Sequence, residues 1–454
     1  MIGAQGFLRS SATSAGLPPP ATCRVGRARV VITPPVGTSL AGYFRDRKAT
    51  SVRDDLYANA VVIEADGERL AIVSCDLLTP FAPVTERARR LAQERTGIPP
   101  DHILVCTTHT HTGPEVRDGT VVPVCEEWRS ELPGRIAEAI ARAADQMVPA
   151  TLRAGSTELH GYSFNRLFRL VDGSEQFGRG GRREEILGVA GPIDPQLLTL
   201  GAVGEDGRLL ALLVNFALHA DVIGGISADF ISADWPGAVA RNIAAIYGED
   251  TVTLFLQGAA GDINHFPHQP TNLPTGGSAK AEQLGRAVAG AAMVAHERAE
   301  PMTSLELRAR LQNLSVPYYT RDATLAAEIE KLKAKDHLGD FERFLVERFE
   351  SWPYDGQNAE VPIQVFRIGD VGLVGLPAEI FVRIGLEIKR WSPTRATFVV
   401  ALANASVSSY IPPVEQAERG AYGAKPILSR RLCAEAGRLV SDAAIRLLHE
   451  LANG

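Results

Sequence analysis

The stretch His102–Glu115, HILVCTTHTHTGPE, decides how the rest of the chain is read. Ile103, Leu104 and Val105 form a short apolar run that reads as a buried strand, and a polar string follows where that strand ends. Side chains two apart on an extended segment share a face, so His109 and His111 are presented together. One of them suits a metal, the other a metal or a substrate oxygen. A strand running into a polar tip is where α/β sheets build active sites. On these residues alone the pair reads equally well as metal ligands or as hydrogen-bonded histidines in a polar cleft.

Upstream, RVVITPPVG (29–37) and ANAVVIEADGERLAIVSCDLL (58–78) are strand-like, with Asp66-Gly67 as a hairpin turn between two apolar runs. A helix is expected over 84–95. Downstream, helix-period apolar residues predict helices near 127–146, 235–247, 278–297, 323–349, 379–391 and 427–452. Strands are predicted near 151–159, 197–203, 208–216, 252–256, 305–315, 362–376 and 397–402. This mixture predicts an α/β fold of mixed sheets with flanking helices. It lacks the regular eight-fold alternation of an amidohydrolase barrel, whose H-x-H also ends a strand. The charged segment 323–349 reads as one solvated amphipathic helix without chemistry. The Gly-rich QFGRGGRREE (176–185) lacks the Gly-Lys-Ser/Thr ending of a phosphate loop and reads as a mobile loop near the site.

The sequence has 454 residues, 45% of them apolar and 22% charged, with a net charge of −6, the balance of an ordinary globular protein. Neither a nucleic-acid surface nor a polybasic membrane anchor is indicated, so the expected partner is a small-molecule substrate. Cys23, Cys75, Cys106, Cys125 and Cys433 are scattered and odd in number, which fits neither a disulfide framework nor a thiolate zinc site. A reducing cytoplasm is the expected compartment. Residues 1–27 are expected to be a flexible leader without a secretory apolar run, ahead of a catalytic domain over 28–454. No segment reaches the length of a transmembrane span.

Other candidates lie at strand ends. His219 closes the apolar run LLALLVNFALHA, and the following ISADWPG gives Ser232 and Asp234 before a helix start. There Asp234 reads as an N-cap or as a partner orienting His219, the cap being preferred. TVTLFLQGAAGDINHF (251–266) reads as a strand entering a Gly/Ala turn at Gln257 and Gly258, followed by Asp262 and Asn264. Such a turn brings backbone amides close to a ligand. Glu379 in LVGLPAEIF and Tyr410 in ANASVSSYIPP each follow a strand-like run; alone they read as a first-turn helix carboxylate and a half-buried aromatic.

Taken in order, THTHTGPE, NFALHA with ISADWPG, LFLQGAAGDIN, LVGLPAEIF and the Tyr410 to Tyr422 segment resemble the catalytic domain of the neutral/alkaline non-lysosomal ceramidase family. The opening VITPPVG and LAGYF fit it as well, so the resemblance spans roughly residues 28 to 450. It implies one Zn²⁺ held by His109, His219, Glu379 and Tyr410, with Tyr422 facing the substrate carbonyl. His111 and Arg166 would be further polar contacts, and Gln257 and Gly258 would belong to the substrate-binding turn. The implied activity is amide hydrolysis by metal-activated water. An esterase or lactonase on the same scaffold and a degenerate, non-catalytic binding protein are the alternatives. One departure stands out: where the family has a serine of the catalytic apparatus, this chain has Gly258, expected to leave room for a hydroxymethyl group. That weighs against ceramide itself as substrate. The chain is also expected to lack the immunoglobulin-like C-terminal domain of the true ceramidases.

Overall fold

The computed structural model describes residues 19–453. Its secondary structure falls into one arrangement repeated three times: three antiparallel strands, a crossover helix, a fourth strand parallel to the third, and a second helix. The first unit comprises β1 (Thr22–Val31), β2 (Tyr57–Ala65), β3 (Glu68–Cys75), α1 (Ala82–Thr96), β4 (Ile103–Thr107) and α2 (Glu126–Asp145). The second comprises β5 (Val148–Glu158), β6 (Gln196–Gly204), β7 (Leu209–Phe216), α3 (Asp234–Tyr247), β8 (Val252–Gln257) and α4 (Gly277–Glu297). The third begins with β9 (Leu307–Pro317) and carries an inserted pair, α5 (Ala323–Lys333) and α6 (Asp340–Glu350). It continues with β10 (Asn358–Ile368), β11 (Val371–Gly375), α7 (Val382–Trp391), β12 (Ala396–Val400) and α8 (Ala436–Asn453).

Antiparallel pairing of β1 with β5 joins the first two units into one eight-stranded sheet, and the third unit keeps its own four-stranded sheet. The parallel contacts are β3 with β4, β7 with β8, and β11 with β12, each reached through its crossover helix. This is a mixed α/β fold and not a closed parallel barrel. The third strands carry Ser74, Asn215 and Gly375 at equivalent register, paired with Cys106, Leu256 and Val400. The Ser74 hydroxyl donates to the Phe255 carbonyl at 2.5 Å, and Asn215 Nδ2 donates to the Val399 carbonyl at 3.0 Å. At the third position Gly375 faces the Leu104 side chain of β4, whose Cδ1 would lie 2.6 Å from an added Cβ. Each unit therefore leans on the fourth strand of another, around a core that includes Ile72, Leu104, Leu213, Leu254, Leu373 and Phe398.

Strand direction places the site. In each unit the first, third and fourth strands run the same way, so their C-terminal loops emerge at one end. Across units, the loops after the third strands, 76–81, 217–233 and 376–381, meet where Leu78, His219 and Glu379 surround His109.

Most expected elements are present, with three differences. The run 362–376 is a hairpin turning at Gly369 and Asp370. The charged segment 323–349 is two helices rather than one, with Asp322 capping α5 through the Leu325 amide at 2.8 Å. The last helix begins at Ala436, because 424–433 is held by tight turns beside Tyr410. At the N-terminus the boundary expected at residue 28 falls inside β1, which starts at Thr22; residues 1–18 of the expected leader lie outside the described residues.

Candidate metal and hydrolytic site

His109 follows β4 with φ 70°, a left-handed conformation that a non-glycine residue holds at a cost of about 1–3 kcal/mol. Its Nδ1 donates to the Leu78 carbonyl at 2.7 Å, which leaves Nε2 with a free lone pair. His219 follows β7 and repeats the arrangement, its Nδ1 donating to the Ala260 carbonyl at 2.9 Å. The two Nε2 atoms lie 3.1 Å apart. Oε2 of Glu379, from the loop after β11, stands 3.3 Å from His109 Nε2 and 3.2 Å from His219 Nε2, buried and with no hydrogen-bond donor. Nε2 of His111 is 3.3 Å from that of His109.

His109 Nε2, His219 Nε2 and Glu379 Oε2 face one another as acceptors. Two imidazole lone pairs and a carboxylate oxygen repel one another unless something electropositive lies among them. His109, His111 and His219 can bring their ligand atoms within 4.8 Å of one another, so the residues fit a metal ion. Burial, as the largest cause, pushes the His219 imidazole down to about 4 and that of His111 to about 3, keeping both neutral and ligand-competent near pH 7.

Tyr410 pairs with Glu379 through a two-residue parallel bridge, Glu379–Ile380 against Tyr410–Ile411. Arg166 Nη2 donates to the Tyr410 hydroxyl at 3.2 Å and to the Gly261 carbonyl at 2.5 Å, and its guanidinium lies 5.0 Å from the ring centre of Tyr422. Burial and the Glu379 charge push the Tyr410 phenol well above its ordinary range. Tyr422 is 46% exposed, its ring 5.9 Å from that of Tyr410 and 4.8 Å from Phe177 of the Gly-rich loop. That loop does lie beside the site.

His109, His111, His219, Glu379, Tyr410, Arg166 and Tyr422 are thus brought together. The other two expected residues, Gln257 and Gly258, lie at the end of β8. Gln257 Nε2 donates to the Leu218 carbonyl at 3.0 Å and so braces the strand end beside His219. At Gly258 the expectation of spare room is overturned: a Cβ there would stand 2.8 Å from the backbone of Phe216 and Ala217. Asp234 corrects both of its readings as well. Its Oδ2 accepts the amides of Val222 and Ile223 at 2.9 and 3.0 Å, fixing the loop beyond His219, whose ring is oriented by Ala260 instead. Trp235 adds a bond from Nε1 to the His219 carbonyl at 2.9 Å.

The sequence reading missed Asp221 and Tyr43. The Tyr43 hydroxyl donates to Asp221, whose Oδ1 is 3.9 Å from His111 Nδ1. Both line a cleft with Phe230, His265 and Phe266. Only the LAGYF string had drawn attention to that wall; nothing local marks Asp221.

No known protein-family profile matches the chain. A curated relative, the neutral ceramidase of Pseudomonas aeruginosa, is 24% identical over 417 residues, covering 76% of this chain; the chain spans 59% of that relative's length. Among solved structures, a neutral ceramidase from Pseudomonas aeruginosa superposes with a TM-score of 0.72 at 23% identity, covering 96% of this chain and 75% of that one. A structure described as a ceramidase complexed with C2 gives a TM-score of 0.72 at 21% identity, covering 96% of this chain and 76% of the other.

Proposed function

With the neutral ceramidase fold shared and a ceramidase-family relationship supported by both comparisons, we propose that this chain is a zinc-dependent hydrolase that cleaves an amide bond. The observation that carries the proposal is the convergence of His109 Nε2, His219 Nε2 and Glu379 Oε2 with no donor among them. We assign the ion to His109, His219, Glu379 and Tyr410. Glu379 Oε2 contacts His109 and His219, which supports His109 over His111 as the ligand. A bound Zn²⁺ supplies Lewis acidity and lowers the pKa of a water toward roughly 7.

The remaining roles fall to the chain's own groups. Leu78 and Ala260 carbonyls fix the ligand tautomers, as partners beyond the ligands do at metal sites. Arg166 holds the Tyr410 oxygen and offers positive charge to an oxyanion. Tyr422, at the mouth, is positioned to donate to a substrate carbonyl, and neutral His111 to take or return a proton to the leaving amine. All five cysteines are free, which supports a reducing compartment, and we place the protein in the cytoplasm.

The test is a set of three variants assayed against a panel of N-acyl amides. His219→Ala and Glu379→Ala are expected to lose both metal and turnover, whereas Tyr422→Phe keeps the metal and loses about a hundred-fold in kcat, the lower end of what one proton-transfer or oxyanion group contributes. Full activity in Glu379→Ala would remove the proposal.

A further inference from the structure

We propose that Arg117, Arg348 and Arg431 form an oxyanion site at the edge of this centre, and that the substrate is an amide carrying a carboxylate or phosphate. Its substrate clause rests on the hydrolase reading; the anion site does not.

The three arginines come from different parts of the chain. Arg117 lies in the loop after β4, Arg348 on α6, and Arg431 in the turn-rich segment before α8. Arg117 is anchored on buried Glu115 by a bidentate pair at 2.9 and 2.8 Å, and its charge reaches Glu379 and Tyr410. Arg431 runs alongside Tyr410: its amide donates to Ser408 Oγ at 3.0 Å, and that hydroxyl donates to the Tyr410 carbonyl at 2.7 Å. The helix bearing Arg348 is fixed over the same end of the fold by Phe341 and Phe344, whose rings pack 5.4 and 5.7 Å from Phe44 of the loop after β1.

Among the described residues, Glu115 is the one carboxylate bound to this group. Among the described residues, neither the Arg348 nor the Arg431 guanidinium makes an ion pair or hydrogen bond, and both Nε atoms are buried without partners. The groups facing them are the phenols of Tyr318 and Tyr354, the Phe344 ring, and one another's charges. Burial first, then Arg348 and Arg117, pushes Arg431 down to about 10. Part-buried like charges without a counter-ion destabilise a fold. Placed beside a reactive centre, they are what binding an oxyanion requires, because the planar guanidinium matches carboxylate and phosphate edge to edge. A neutral lipid amide would leave these cations unpaired.

Three probes with one benzamide core test this by calorimetric titration of the protein as purified: hippurate, N-benzoyl-O-phosphoethanolamine and neutral N-benzoylethanolamine. At least one anionic probe is expected to bind about ten-fold or more tightly than the neutral one, which is a charge-assisted bond's worth of affinity. The stronger of the two identifies the anion as carboxylate or phosphate. In the double variant R348Q/R431Q the preference should vanish while Tm holds or rises, since two unpaired cations are removed. Equal binding of all three probes would overturn the proposal. So would a preference that survives in the double variant, which would assign it to the metal. If anionic probes bind through the arginines but no amide of the panel is cleaved, the hydrolase reading fails and the anion site stands. If N-benzoylethanolamine is cleaved as efficiently as the anionic probes, the substrate clause fails.

Discussion

Position 258 shows how a single residue is misread when only its neighbours in sequence are known. Where the resembled family carries a serine, Gly258 reads as a vacancy left by a lost side chain. In the folded chain its Cβ direction points into the backbone of Phe216 and Ala217, at 2.8 Å. A serine there is expected to destabilise the protein by about 1–3 kcal/mol through overpacking, with loss of activity following from displacement of the adjacent His219 strand end. Chemical denaturation of Gly258→Ser measures it, and unchanged stability would return the position to the substrate pocket. His109 and His219 drew attention because each follows an apolar strand run, whereas Glu379 and Tyr410 were marked as ligands only by the family resemblance, since alone they read as a helix carboxylate and a half-buried aromatic. Asp221, Arg117 and Arg431 were not marked at all, since an acid or arginine in a polar loop acquires meaning only from what lies opposite it in space.

At the scale of elements, the helices and strands of the first two units were legible from periodicity because their apolar stripes are buried in large clusters between sheet and helices. The segment 323–349 defeated the same reasoning. Its charged residues keep helical spacing through residues 334–339, where the chain in fact turns so that Leu325, Ile329, Leu345 and Trp352 can close on a cluster of their own. That cluster is small and separate from the main core, so local opening should cost less there than in the sheet. Hydrogen exchange is accordingly expected to be faster across α5 and α6 than in β8, whose six residues are all buried. Protection in α5 and α6 equal to that of β8 would mean the pair is an integral part of the core.

At the scale of the whole molecule, the three-fold repeat explains why one end carries the chemistry. Unit one supplies His109 and His111, unit two His219 and Arg166, and unit three Glu379, Tyr410 and Tyr422, each from a loop at the C-terminal end of parallel-running strands. The repeat escaped the sequence reading because the units share only strand pattern and the register of Ser74, Asn215 and Gly375, with insertions of unlike length after each first strand. A centre assembled from three units can form only when all are folded, and its converging lone pairs call for a cation. The most direct test is elemental analysis of protein purified without chelator. The account predicts about one zinc per chain, held by the N and O atoms of two histidines, a carboxylate and a phenol with a position left for water, whereas protein without a transition metal that takes up none on zinc addition would contradict it.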